Sequence, residues 1–181
     1  MGYWGYFVVG RGERPLAALD ALAGAAQGLT LRTSAPDGWQ VWEYPGASGD
    51  IGSMNDLARE TGAPALFGYV MDSDCVVVEA ASPEHGAWTT CLGRTAMAGH
   101  LGAGGGGDGA GDGGTDGLTL EDYFLEPPDA AERAADWAAE AGRTVSAEDL
   151  LEVLAAEPAA PDEVAENLLF RLLERLGVVP A

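Results

Sequence analysis

Four carboxylate side chains recur at helical spacing in the last third of the sequence. Asp129, Glu132, Asp136 and Glu140 stand at i, i+3, i+7 and i+11, so a helix would place them in one stripe. Three further acids precede the stripe, and they are Glu121, Asp122 and Glu126. A row of negative charge attracts and orients a basic partner. The stripe therefore predicts a surface that binds a basic protein; the alternative is a solvated outer face without a binding role.

Two arginines flank a glycine-containing turn near the N-terminus. Gly10, Arg11 and Gly12 follow a predicted strand and precede a predicted helix, which is the setting of a dinucleotide-binding loop. Pro15 takes the place of the third glycine, so the G-x-G-x-x-G fingerprint is broken. Arg11 and Arg14 could still hold an anion at the start of the helix. The alternative is a tight turn that binds nothing.

A pair of aspartates follows a hydrophobic strand. Asp72 and Asp74, with Ser73 between them, form a D-x-D motif that can ligate a divalent cation beside a sugar nucleotide. The chain shows no nucleotide-binding half, and the motif is common in polar turns between strands. We therefore predict no metal site, and we keep both aspartates as candidate ligands.

The two cysteines flank a predicted hairpin. If Ala81 and His85 border its turn, Cys75 stands directly opposite Cys91. Such a pair could oxidise or act in redox chemistry, whereas a reducing cytoplasm would keep both thiols free. His85 would lie about 16 Å along the strand from the cysteines, too far to share a metal with them. The sequence leaves the redox state of the pair open.

No catalytic constellation stands out. The chain has two histidines, and neither His85 nor His100 lies in a recognisable catalytic motif. The segment Gly46-Ala47-Ser48-Gly49 breaks the G-x-S-x-G spacing of a nucleophile elbow. We assign no catalytic residue and no cofactor, and we expect a protein that is not an enzyme.

The charge of the chain excludes several functions. Its 181 residues include 29 acids and 9 basic residues, all of them arginine, for a net charge of −20. Without lysine there is no P-loop phosphate contact and no Schiff base. The negative field would repel nucleic acid. Residues 101–181 carry 18 of the acids and 4 of the arginines, so most of the acidity lies in the C-terminal part.

The elements that position these residues predict an α+β fold. We expect a mixed, mainly antiparallel sheet of about six strands with two helices, followed by a three-helix C-terminal segment. The predicted strands are Tyr3–Val9, Leu29–Thr33, Trp39–Tyr44, Ala65–Met71, Val76–Ala80 and Ala87–Leu92, and the predicted helices are Leu16–Leu22 and Asn55–Glu60.

Composition divides the chain into three parts. We predict an α+β sheet domain over 1–100, a Gly/Asp-rich linker over 101–118 and an acidic helical segment over 119–181. Within the last part, Asp129 and Ser146 are predicted helix caps and Pro161 the start of the third helix. Whether these helices pack on the sheet or form a separate bundle stays open.

These observations lead to one expected function and two alternatives. The first apolar run is too short for a signal peptide or a membrane span, so we expect a cytoplasmic protein without membrane contact. The absence of lysine and the abundance of alanine and glycine suggest a high-GC bacterial gene. We expect an immunity- or antitoxin-type inhibitor of a basic protein. The alternatives are an enzyme or small-molecule binder on the α+β domain and an accessory subunit of a larger assembly.

Overall fold

A six-stranded sheet forms the centre of the computed structural model, which describes residues 2–46, 51–105, 120–158 and 163–179. The strands are β1 (Gly5–Arg11), β2 (Thr30–Ser34), β3 (Trp39–Pro45), β4 (Ala65–Met71), β5 (Cys75–Ser82) and β6 (Gly86–Leu92). The helices are α1 (Met54–Thr61), α2 (Arg94–Gly105), α3 (Leu120–Tyr123), α4 (Pro127–Glu140), α5 (Ala147–Leu154) and α6 (Ala165–Leu176).

The strand order is β2-β3-β1-β4-β5-β6, and every neighbouring pair is antiparallel. Strand β1 lies inside the sheet between β3 and β4. Its side chains are apolar on both faces: Phe7 and Val8 are both buried, in two separate clusters on opposite sides. This pattern requires cover on both faces of the sheet. The predicted α+β class is confirmed.

Helices α4, α5 and α6 cover one face of the sheet. Their apolar side chains share a single cluster with sheet residues that include Trp39 and Trp88. Trp137 of α4 is fully buried, and its indole N–H donates to the carbonyl oxygens of Ala65 (3.0 Å) and Ala81 (3.1 Å). These hydrogen bonds fix α4 to the ends of β4 and β5, so the C-terminal helices pack on the sheet.

The opposite face has two smaller covers. Short 3-10 turns and α1 bury Val8 together with Leu22 and Met54. Farther along the sheet, Met97 of α2 packs on the two cysteines. Helix α1 extends one residue beyond each end of the predicted Asn55–Glu60: Ser53 accepts a hydrogen bond from the Asn55 amide, and Gly62 ends the helix with a left-handed φ of 70°.

The predicted helix over Leu16–Leu22 is wrong. The segment forms two 3-10 turns, Leu16–Ala18 and Asp20–Leu22, separated by an extended Leu19 with φ −85° and ψ 149°. Leucines 16, 19 and 22 are all buried, and the extended Leu19 limits each 3-10 run to three residues, the usual length of such helices. The carboxylate of Glu60 accepts both the Asp20 and Ala21 amides, which stabilises the second turn from outside.

Three helix boundaries also differ from the predictions. Helix α2 runs into the segment 101–118 predicted as a linker, and residues 106–118 lie outside the described part. Helix α4 begins after Glu126, whose side chain makes no capping hydrogen bond, and the predicted cap Asp129 lies inside the first turn because Pro127 and Pro128 suit the first helical positions. Helix α6 begins at Ala165, and Pro161 is not among the described residues. Ser146 caps α5 as predicted, since its hydroxyl accepts a hydrogen bond from the Asp149 amide at 3.2 Å.

In the ranges covered by the structure, none of the helices has the length and apolar character needed to cross a bilayer.

Candidate functional site

Helix α4 carries the predicted acidic stripe on its outer side. Asp129, Glu132 and Asp136 are all exposed. The inner side is made of small residues and one large one: Ala130, Ala131, Ala134, Ala138 and Trp137 are buried against the sheet. Small side chains let the helix lie close to the strands, and the Trp137 hydrogen bonds fix its position. We call Asp129, Glu132 and Asp136 the acidic surface.

Glu140, the fourth member of the stripe, is bound within the chain. Its carboxylate accepts a hydrogen bond from the Glu84 amide at 3.0 Å and contacts Nδ1 of His85. Burial alone would raise the pKa of Glu140, but hydrogen bonds from Ser82 and His85 outweigh it and the pKa is lowered. The hydrogen bond to Glu140 raises the pKa of His85, and the charges of Asp136 and Glu84 act in the same direction. Glu140 therefore attaches the β5–β6 turn to α4.

The acids that precede the stripe have different settings. Glu126 forms an ion pair with Arg94 at 2.6 Å, and its side chain is 44% exposed. Glu121 and Asp122 belong to the short helix α3, and their side chains lie outside the described part. Seven acids were predicted to bind a partner. Three of them, those of the acidic surface, face outward from one helix.

In the described ranges, the arginines of the C-terminal helices form no ion pair with the acidic surface. Each has partners elsewhere. Arg133 donates only to backbone carbonyls, those of His85 and Ala87, and Arg171 donates to the Glu163 carboxylate. The other two bind one carboxylate and one carbonyl each: Arg143 those of Asp37 and Gly177, and Arg175 those of Glu152 and Asp149. Among the residues that the structure describes, none of the three carboxylates of the acidic surface has a basic partner. Helix α5, packed beside α4, adds the exposed Glu148 and Asp149.

Arg11 and Arg14 line an open cleft of about 1050 Å³ at the other end of the sheet. The buried side chain of Gln40 organises its wall with four hydrogen bonds. Its oxygen accepts the Leu16 amide and the Trp42 indole N–H, and its nitrogen donates to the carbonyls of Gly12 and Arg14. Sequence reasoning missed Gln40, although a lone amide within an otherwise apolar and aromatic strand segment was a signal.

The turn that contains Asp72 and Asp74 has a structural role. Asp72 accepts the Gly2 amide at 2.6 Å, and Ser73 bonds both to the Tyr3 backbone and to the Ala165 amide at the start of α6. Oδ2 of Asp74 lies 3.8 Å from Nε2 of His100. Within the described ranges, no group of three or more His, Cys, Asp or Glu side chains is placed to hold a metal ion.

The predicted register of the two cysteines is wrong. Val77, rather than Cys75, stands opposite Cys91, so the cysteines are diagonal neighbours and both are free. The cause is the turn: β5 continues to Ser82, which pairs with Gly86 across a three-residue loop. Burial raises the pKa of Cys75 to about 12 and that of Cys91 to about 11. Both thiols are therefore protonated near neutral pH and are poor nucleophiles.

Comparison with known proteins gives no relative. No family model matches this chain, and no curated protein or solved structure is significantly similar to it.

Proposed function

We propose that this protein is a non-catalytic acidic binding protein that inhibits a basic protein partner in the cytoplasm, in the manner of an immunity protein or antitoxin. The observation that carries the proposal is the acidic surface. Asp129, Glu132 and Asp136 face outward from one helix, and the nearby arginines bind other groups of the chain. The absence of an ion pair to these three carboxylates in the described part of the chain supports a role in binding an external partner.

The rigidity of α4 favours this role. The helix is held by the buried Trp137 and its two hydrogen bonds to strand carbonyls, and Glu140 ties its last turn to the β5–β6 loop. When a partner binds carboxylates on a fixed helix, only their side-chain rotamers have to become ordered, because the backbone is already in place. A preorganised row of charge can therefore fix the orientation of a basic partner.

Exposed charge pairs govern association more than final affinity. An exposed ion pair contributes about 0–1 kcal/mol, and at physiological salt its field decays over about 8 Å. Three such pairs would raise the association rate and make it depend on salt. The tight part of the interface would come from apolar contacts around them.

The experiment is capture of a partner from a lysate of the source cells, with two charge-matched variants. The surface variant carries Asp129→Asn, Glu132→Gln and Asp136→Asn. The control variant carries Asp20→Asn, Asp56→Asn and Glu174→Gln, which removes the same amount of charge at exposed positions away from the acidic surface. Captured proteins are identified by mass spectrometry at low and high salt.

We expect the parent chain and the control variant to retain the same basic protein at low salt, and the surface variant to lose it. Addition of the parent chain should then inhibit the activity of that protein. Equal retention by the surface variant would contradict the proposal. Equal loss from both variants would mean that overall charge, rather than this surface, attracts the partner, and the proposal would fail as well.

A further inference from the structure

The cleft beside Gln40 is a second candidate binding site, unrelated to the acidic surface. Its volume of about 1050 Å³ is comparable to that of small-molecule sites. It lies between the loop that follows β1, the β2–β3 turn and the end of α1, and its lining includes Arg11, Arg14, Leu31 and Trp42. We propose that this cleft binds a small anion that carries a flat apolar group.

Arg14 supplies the first argument. All nine arginines of the chain are described, and the other eight each form a hydrogen bond or an ion pair within it. Arg14 is the exception in the part of the chain seen here, and it is one of the residues that line the cleft. Arg11 and Arg133 donate to backbone carbonyls and six other arginines have acidic or mixed partners, so Arg14 alone of the nine has neither kind of partner among the described residues. It is therefore available to an anionic ligand.

Arg11 adds further donors to the same cleft. Its Nε donates to the Asp37 carbonyl at 2.9 Å, which fixes the side chain and leaves the two terminal nitrogens without a partner among the described residues. The Arg14 backbone is fixed too, because Gln40 donates to its carbonyl at 2.9 Å. Two guanidinium groups on a fixed loop can hold a carboxylate or a phosphate by charge-assisted hydrogen bonds.

Two of the three acids that line the cleft are bound to other groups of the chain. Asp37 is paired with Arg143, and the hydrogen bond from that arginine holds the pKa of Asp37 below its usual value. Glu60 accepts two backbone amides of the 3-10 turn. Glu13 is the remaining lining acid, and it is exposed.

Trp42 and Leu31 form an apolar side of the cleft. Leu31 is 46% exposed, and Trp42 is half-buried with its indole N–H bound to Gln40. This hydrogen bond fixes the plane of the indole, so a flat group can stack on it without a large loss of side-chain freedom. The ligand class thus combines an anionic group with an aromatic or similarly flat one.

The test uses defined probes and NMR spectra of the tryptophan indole N–H groups. The probes are benzoate and phenyl phosphate, with benzamide as the uncharged control and acetate and inorganic phosphate as controls that lack the ring. The Trp42 resonance is assigned by Trp42→Phe. Arg14→Gln removes the proposed contact, and Arg171→Gln on α6 removes one exposed charge elsewhere as the matched control.

We expect benzoate or phenyl phosphate to shift the Trp42 resonance saturably, and the stronger of the two identifies the preferred anion. Benzamide and the probes without a ring should bind at least several-fold more weakly. Arg14→Gln should weaken binding about tenfold, as expected for loss of a charge-assisted hydrogen bond, while Arg171→Gln changes nothing. No saturable shift, equal binding of benzamide, or unchanged binding by Arg14→Gln would overturn the inference. None of these readouts involves the acidic surface, so the proposed function is tested separately.

Discussion

Gln40 holds the wall of the cleft with both ends of its amide, and replacing it with glutamate tests that arrangement. The substitution keeps the oxygen that accepts the Leu16 amide and the Trp42 indole N–H. It replaces the nitrogen, which donates to the carbonyls of Gly12 and Arg14 at 3.0 and 2.9 Å, with a second oxygen. A buried carboxylate oxygen would then face two carbonyl oxygens.

The expected cost follows from these contacts. Two amide–carbonyl hydrogen bonds are lost, at about 0.5–1.5 kcal/mol each, and a charge is introduced at a side chain that is 8% exposed. We expect Gln40→Glu to lower the free energy of unfolding by about 2–4 kcal/mol near neutral pH. Measurement is by urea unfolding of the variant and the parent chain in the same buffers.

The pH dependence gives a sharper test. Burial and the facing carbonyls raise the pKa of the introduced carboxyl in the folded state above its unfolded value. The folded variant therefore binds more protons than the unfolded variant, and its loss of stability relative to the parent shrinks as the pH falls. We expect a recovery of about 1 kcal/mol or more on going from neutral to mildly acidic pH, because one pKa unit corresponds to about 1.4 kcal/mol.

The chain offers a matched control for this experiment. Gln27 is exposed, so Gln27→Glu introduces the same charge without touching a hydrogen-bond network. We expect it to change the free energy of unfolding by less than about 0.5 kcal/mol. If Gln40→Glu costs no more than Gln27→Glu, or if its cost does not change with pH, the account of the cleft wall is wrong.

Three further predictions concern the contacts that hold α4 and the hairpin. Trp137→Phe leaves two strand carbonyls without their donor and should cost about 1–3 kcal/mol in urea unfolding. NMR titration should give His85 a pKa above its usual 6.5, and Glu140→Gln should lower it; the stabilisation is fully present below that usual value and is lost as pH rises through the raised pKa. Cys75 and Cys91 should resist a thiol reagent in the folded chain near neutral pH and react after unfolding, because both are buried with raised pKa values.

For each of these three predictions, a different result would contradict the contact on which it rests. A Trp137→Phe variant as stable as the parent would mean that the two hydrogen bonds do not hold α4. A His85 titration that does not respond to Glu140→Gln would mean that the contact between them is not formed in solution. Rapid labelling of either thiol in the folded chain would contradict the packing of α2 on the sheet.

The sequence predicted the elements with strong periodicity better than their connections. Strand Ala65–Met71 was found with its bounds and α1 to within one residue at each end, because apolar runs and helix-end signals act locally. The register of the β5–β6 hairpin was missed because it depends on whether Ser82 belongs to the strand or to the turn. A shift of one residue on each strand was enough to separate the predicted cysteine pair.

The candidate site shows the same limit. Helical spacing placed the acidic stripe on one helix, but it did not reveal that Glu140 binds the β5–β6 turn while Asp129 stays free of basic partners in the described part. Nor did it connect Gln40 with Arg14, because they meet through backbone carbonyls of a loop. Contacts of this kind arise from tertiary packing between distant segments, and the pattern of residue types along the chain does not predict them.

The association rate of the captured partner tests the central claim most directly. It is measured at a series of salt concentrations for the parent chain, for the variant that neutralises Asp129, Glu132 and Asp136, and for the variant neutralised at Asp20, Asp56 and Glu174. We predict that the rate falls with salt for the parent and for the second variant, and that the first variant associates slowly with a weaker salt dependence. The same rates and the same salt dependence for all three chains would contradict the claim that this helix face receives a basic protein.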